Sequence, residues 1–362
     1  MEKFNIKNQI NKLLMFDGVS ALAIAGASWV ALLASRGYST AQIGLLESIF
    51  HVFSMIFEVP SGAVADVFGR KKTLALSRVC SILSAIVMVL SDSFFTIAIA
   101  MLFCALSYNL TSGTREALAY DSLKLEGKQE DYLRYSSGDL IVYQLCGSAA
   151  ILMAGLALYL GYKKAYIIDV LISLLALVIA MSLHEVHAEG RENMNIRTRF
   201  KDVFIESVRF LKESKRARKI IAISAFIDSI VTLLGMFMQA ALPGAGLPGF
   251  MLGPALFVMS LGGVLGAKIV TSFKIKSYRK VTMIAFAAAV MNLIAALSAI
   301  PAVMVAGCFV CGMVDSYFYV CTDTALNDMI PSGQRATLVS VNSLVFSVVM
   351  IVMSPIVGII LG

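Results

Sequence analysis

Apolar residues run through this chain in eleven long blocks, approximately 11–34, 41–65, 72–91, 93–115, 134–160, 163–183, 219–242, 249–272, 280–299, 301–325 and 335–361. An α-helix rises about 1.5 Å per residue and needs ~20 apolar residues to cross roughly 30 Å of hydrocarbon, so each block reads as one crossing. The pattern predicts an all-α, polytopic membrane helical bundle with about eleven transmembrane helices. Met1–Lys12 is polar and the run behind it is long enough to remain as a span, so no cleavable signal peptide is expected. The one long polar stretch, His184 to Lys219, carries ten basic residues and a few apolar positions such as Phe204, Val208 and Leu211. It reads as a cytoplasmic connector with one amphipathic helix on the membrane surface. The expected organisation is a six-helix half at 1–183, the connector at 184–218 and a five-helix half at 219–362, a six-plus-six plan without its final helix.

Composition agrees and removes the soluble alternatives. The chain is 59% hydrophobic and 15% charged, with a mean hydropathy of +0.83, against about 25% charged residues in soluble domains. A formal charge of +7 suggests nucleic acid until the charges are placed. With the N-terminus in the cytoplasm, every Lys and Arg except Arg36, Lys163 and Lys164 falls on the cytoplasmic side. That is the bias inserted proteins show, so orientation explains the basic balance and no nucleic-acid partner is implied. The expected location is the cell membrane, multi-pass. All six cysteines lie in or at the edge of apolar runs. Cys308-x-x-Cys311 has no further ligand cluster beside it and reads as a pair of small packing residues.

Between the second and third blocks stands Gly62-x-x-x-Asp66-x-x-Gly69-Arg70-Lys71. Its glycines permit a tight turn and close helix approach, and Arg70, Lys71 and Lys72 anchor it on the cytoplasmic side. Asp66 is suited to meet the positive end of a helix or an arginine such as Arg78. A degraded second copy, Gly262-Gly263-Val-Leu-Gly266-Ala-Lys268 followed by Lys274, Lys276, Arg279 and Lys280, stands after the eighth block. Such internal correspondence marks repeat-built transporters and gives two pseudo-repeat halves.

The motif closely resembles the signature loop of the major facilitator superfamily. Its extended form, Glu58-Val-Pro60-Ser-Gly62-x-x-Ala-Asp66, is similar to a bacterial branch often labelled as drug or unknown-substrate exporters. Ser112-Gly-Thr-Arg115-Glu-Ala-Leu-Ala-Tyr120-Asp121 and Pro331-Ser-x-x-Arg335-Ala-Thr-Leu look like the same branch. The resemblance implies two rocking halves around a central cavity, with Gly62, Asp66, Gly69, Arg70 and Lys71 as a gating loop whose Asp66 contact locks the outward-facing state. Two features of the proton-driven members are missing: the fourth block has no mid-helix Arg, since Arg115 lies at its end, and the fifth has no Gly-Pro pair.

Ionisable groups inside spans are costly and mark function by default. Asp228 lies roughly 14 Å along its helix from Lys219, near mid-membrane. It shares a stripe with Ser224, Thr232, Gly235 and Gln239. Further stripes are Asp17, Ser20 and Ser28; Ser107, Thr111 and Thr114; and Asp315, Tyr319 and Thr322. Asn109 points away from its stripe. The resemblance implies that these four helices line the cavity, whereas small polar residues also pack helix against helix. Glu47 and His51 are four residues apart on one face of the second block, with Ser54 and Glu58. That face suits proton movement or a polar seam against the eleventh helix. Asp139, with Tyr143 and Gln144 on the fifth block, is a similar candidate, and Asp169 reads as an anchor near the outer face.

The expected proton-coupling residues are thus Asp228, Asp17, Glu47, His51 and Asp139. The expected cavity residues are Thr111, Tyr143, Gln144, Asp228, Thr232, Gln239, Asp315 and Tyr319. The function expected is secondary active transport of a small solute by alternating access, as proton-coupled efflux, with uptake by symport as the alternative. A polytopic enzyme or sensor is the reading from another class; its nearest constellation is Arg115, Glu116, Tyr120 and Asp121, which the resemblance explains without chemistry. Neither a phosphate loop nor a metal-spaced His/Cys cluster is present, so no cofactor and no metal are expected, and the chain is expected to act as a monomer.

Reporter fusions test the topology. Alkaline phosphatase fused after Arg36 or Lys164 is expected to be active, and fused after Lys128 or Lys201 inactive; the opposite pattern would invert the assignment.

Overall fold

The computed structural model describes residues 4–186, 214–272, 277–327, 329 and 335–362, and every regular element among them is a helix. The expected amphipathic helix of the connector lies outside the described residues, as do Lys274, Lys276 and Pro331. Nine helices are long and apolar enough to cross a membrane among the described residues, and ten when the bent fifth span is taken as one. That fifth span bends by 46° between Gln129–Leu152 and Ala154–Leu160. The expected first span is not one of these, because it is broken into Ile6–Ala21, Ile24–Ala27 and Trp29–Ser35.

The break has a visible cause. A helix that stops inside hydrocarbon frees backbone N–H groups that no water can satisfy. Asp169, on the sixth span (Tyr162–Ser182), supplies the acceptors: its carboxylate takes the N–H of Ala25 at 3.2 Å and of Gly26 at 2.8 Å. The residue expected to anchor the outer face thus caps the short helix Ile24–Ala27.

The chain divides into two compact units, Met1–Trp29 with Val52–Lys201, and Val30–His51 with Asp202–Gly362. The helix Thr40–Phe68 therefore contributes residues to both. In the first unit, Leu13 and Phe16 of the first span pack with Leu74, Leu118, Leu123, Tyr135 and Ala176. In the second, Ile227 packs with Val281, Ala285, Tyr317 and Phe318.

Small residues set the closest approaches in the second unit, as they do generally between membrane helices. Gly262 and Gly266 of the eighth span (Gly249–Ser272) lie against the backbone carbonyls of Phe309 and Met313 on the tenth (Pro301–Asn327). Gly44 of the second span and Gly358 of the eleventh (Arg335–Ile360) likewise meet Ser354 and Thr40 backbone. Hydroxyls close that seam: Ser48 donates to the Ile351 carbonyl at 2.8 Å and Thr40 to the Gly358 carbonyl at 2.6 Å.

Gly266→Ala is expected to force the eighth and tenth spans apart, because its Cβ meets a carbonyl that cannot rotate away. A cost of about 1–3 kcal/mol is expected, read as a lowered melting temperature in detergent. Gly235→Ala, whose Cβ meets nothing within 4 Å, serves as the control.

Candidate functional site

The signature segment is mostly helical. The second span continues through Gly62 and Asp66 to Phe68, so the expected turn is confined to Gly69, whose φ of +95° favours glycine. A Cβ there would also lie 2.5 Å from the Glu185 carboxylate. Glu185 takes the N–H of Arg70 at 2.8 Å and of Lys71 at 3.1 Å, capping the third span (Arg70–Leu90) with a negative charge at its positive end. The Arg70 guanidinium donates to the Ala117 carbonyl at 2.6 Å and pairs with Asp121. The expected contact of the Asp66 side chain lies outside the described residues. Arg78 donates to Ser107 and to Thr111 at 3.0 Å, and stands over the Phe16 ring.

One turn further, the sequence Ser112-Gly113 breaks the fourth span, with Gly113 in the left-handed region at φ +74°. A separate helix, Thr114–Leu125, begins there and carries Arg115. The arginine pairs with Asp17 through Nη1, and through Nη2 with Glu116 at 2.7 Å and Asp139 at 3.0 Å. Two residues expected on separate stripes, Asp17 and Asp139, thus share one guanidinium. The Asp17 Oδ2, Glu116 Oε2, Asp139 Oδ1, Arg115 Nε and Tyr135 hydroxyl atoms are buried with no hydrogen-bond partner among the described residues.

The second unit holds a different arrangement. Asp228 on the seventh span (Lys215–Gly244) and Asp315 on the tenth are neighbours, carboxyl beside carboxyl. A hydrogen bond between two carboxyls requires a proton on one of them. The Oδ1 atom of each is buried and has no hydrogen-bond partner among the described residues. Glu47 lies 3.4 Å from His51, which contacts Ser347 at 3.4 Å and packs edge-on to Phe346. His51 thus faces the eleventh span, with Glu47 beside it.

The remaining expected cavity residues divide between the two units. Gln239 accepts from the Ala31 N–H at 3.4 Å, while Tyr143, Gln144, Thr232 and Tyr319 are exposed on their helices. Sequence reasoning underweighted four residues. Asn109, set aside for facing away from its stripe, is buried and bonds Ser54 through its carboxamide, its Nδ2 donating to the Ser54 carbonyl at 2.9 Å. Arg115 and Glu116 were placed at a span end, and Glu185 inside the connector. The signal available for Arg115 was charge: a lone arginine beside an apolar run needs carboxylates from other helices.

The chain matches the family model of the Major Facilitator Superfamily over residues 13–358. It is 25% identical over 332 residues to the uncharacterized MFS-type transporter YxaM of Bacillus subtilis (strain 168), covering 89% of this chain and 81% of that protein. A crystal structure of the nucleoside transporter NupG carrying one substitution superposes with a TM-score of 0.79 at 17% identity, over 98% of this chain and 90% of that one. A POT family transporter in complex with 5-aminolevulinic acid gives 0.71 at 12% identity, over 96% and 89%. A bacterial homologue of the lysosomal transporter Spinster gives 0.70 at 14%, over 97% and 81%.

Removing the shared guanidinium strands three carboxylates together. Arg115→Gln is expected to destabilise the protein by on the order of 3 kcal/mol, read by thermal unfolding in detergent. Adding Asp139→Asn is expected to recover part of that loss, because it removes one of the repelling charges. A double variant less stable than the single one would show that Arg115 is not the common counter-ion.

Proposed function

The chain belongs to the Major Facilitator Superfamily, and we propose that within it the protein exports a small solute by alternating access, driven by protons that move through Asp228. The single observation that carries this reading is the Asp228–Asp315 carboxyl pair. Two carboxylates in contact inside hydrocarbon repel, and burial removes the water that would screen them. In this reading the pair at rest holds one proton between its two carboxyls. When solute or water reaches the free Oδ1 atoms, that proton has an exit, and its loss leaves two like charges that take up the next proton.

This is the chemistry coupling needs: a group that releases and regains a proton as its surroundings alternate. Asp17, Asp139, Glu47 and His51 are secondary candidates for the same path. Asp17 and Asp139 are each paired with Arg115, and His51 of the Glu47–His51 pair contacts Ser347 on the eleventh span. The carboxyl pair has no cation among its described hydrogen-bond and ion-pair partners, so it has the strongest reason to hold a proton. The signature segment would serve as the gate, with Arg70 and Lys71 held by Asp121 and Glu185 in the present arrangement. Orientation with the N-terminus in the cytoplasm follows from the charge bias.

Reconstituted vesicles with a pH-sensitive dye inside test the proposal. Solute-dependent proton flux is expected in the wild type and is expected to fall at least ~10-fold in Asp228→Asn, since Asn removes the like charge whose repulsion drives the pair to take up its next proton; this corresponds to about 1.4 kcal/mol or more in the barrier. The direction of proton movement relative to solute separates export from uptake. Flux equal in wild type and variant would remove Asp228 from the path.

A further inference from the structure

The first unit contains a second buried polar centre that proton coupling at Asp228 does not use. Asp17, Glu116 and Asp139 surround Arg115, so three carboxylates meet one guanidinium. Both Nη atoms of the arginine are committed, and its Nε makes no bond among the described residues. One oxygen of each carboxylate is left buried without a donor. The centre is also well enclosed: the side chains of Asp17 and Asp139 are 6% and 9% exposed, and Tyr135 as a whole is 5% exposed. The side chain of Glu116, at 41%, is the one that reaches solvent.

An acidic cluster alone would signify little, but the tyrosines beside it supply an independent observation. Tyr135 lies one helical turn before Asp139, and its hydroxyl, with Asp139, Arg115 and Glu116 as electrostatic neighbours, has no hydrogen-bond partner. Its ring is 6.0 Å from that of Tyr132, which stands edge-on to Tyr120 at 5.3 Å. Aromatic faces attract cations, most strongly where water is excluded. The surplus of negative charge, the unpaired acceptors and the aromatic rings all lack the same thing, a positively charged N–H donor.

The size of the missing group is also constrained. No three acidic, His or Cys groups among the described residues are placed to hold a metal ion. The acceptors are arranged around a guanidinium, a setting suited to hydrogen bonds near 2.8 Å from an N–H donor. We infer that this centre binds the ammonium group of an organic amine, with Asp139 and the Tyr135 hydroxyl accepting its N–H bonds and the tyrosine rings flanking its apolar part. The inference rests on the solute-transport reading and names the class of solute. The ionisable groups facing the site are Asp17 on the first span, Arg115 and Glu116 on the helix Thr114–Leu125, and Tyr132, Tyr135 and Asp139 on the fifth span. Protons compete for the same carboxylate oxygens, so amine binding weakens as pH falls.

Titration of the purified full-length protein by calorimetry, with phenethylammonium, its trimethylated quaternary analogue and neutral phenylethanol, tests the assignment. The primary ammonium is expected to bind. The quaternary analogue, which has no N–H, is expected to bind about 10-fold more weakly or worse, the loss of one charge-assisted hydrogen bond. Asp139→Asn and Tyr135→Phe are expected to cause a similar loss. If Asp139→Asn does not fold, Glu116→Gln at the solvent edge carries the same expectation. No heat with any probe, equal binding of ammonium and alcohol, or unchanged affinity in all three variants would each overturn the inference. So would a loss confined to Asp228→Asn, which would move the amine to the carboxyl pair. Absent amine binding with Asp228-dependent proton flux intact would sink this inference alone. Proton flux that survives in Asp228→Asn, with amine binding still dependent on Asp139, would sink the coupling reading alone.

Discussion

A backbone N–H or carbonyl left unpaired in hydrocarbon costs several kcal/mol, and this constraint decides where the chain can deviate from continuous helix. Helix ends are the weak points, because each frees up to four groups. At the break in the first span, Asp169 reaches from the sixth span to take two amides. At the start of the third, Glu185 does the same for Arg70 and Lys71. A carboxylate at a helix N-terminus meets partial positive charge as well as donors, so each contact stabilises the interruption twice over. At these two interruptions a side chain from elsewhere completes the backbone, and it links distant segments into one unit.

The same rule applied to charge separates the two units chemically. The first unit gathers four carboxylates around arginines, Asp121 with Arg70 and Asp17, Glu116 and Asp139 with Arg115, while Asp169 accepts from backbone amides. The second places Asp228 and Asp315 against each other, where only a shared proton makes the contact favourable. A carboxylate held by a permanent cation is a fixed charge, and a carboxyl held by another carboxyl is a switchable one. The division of labour proposed for the protein follows from that difference: fixed charge recognises a cationic solute, and switchable charge carries the proton. Arg78, bonded only to hydroxyls among its described hydrogen-bond partners and stacked on Phe16, belongs to the fixed set.

Close packing supplies the rigidity that lets such groups keep their partners. The glycine contacts between the eighth and tenth spans bring backbones together where any Cβ would collide. Asp315 lies two residues beyond the Met313 carbonyl that Gly266 touches, so the position of the carboxyl pair depends on that contact.

What the sequence determined by itself was everything governed by local composition: the number of apolar runs, their helical character, the bias of Lys and Arg and the signature residues that carry the family resemblance. These are legible because a span needs a fixed length of apolar residues and because insertion reads charge locally. The buried acids Asp17, Asp139, Asp228 and Asp315 were also legible one at a time, since a charge inside an apolar run is conspicuous wherever it falls. Tertiary structure alone decided their partners. Arg115 looked like a span end until the break at Gly113 turned it toward Asp17, 98 residues earlier in the chain. Asp228 and Asp315 looked like members of separate stripes until the seventh and tenth spans met. Helical periodicity says which face of one helix a residue occupies, whereas the choice between ion pair and shared proton depends on which second helix covers that face.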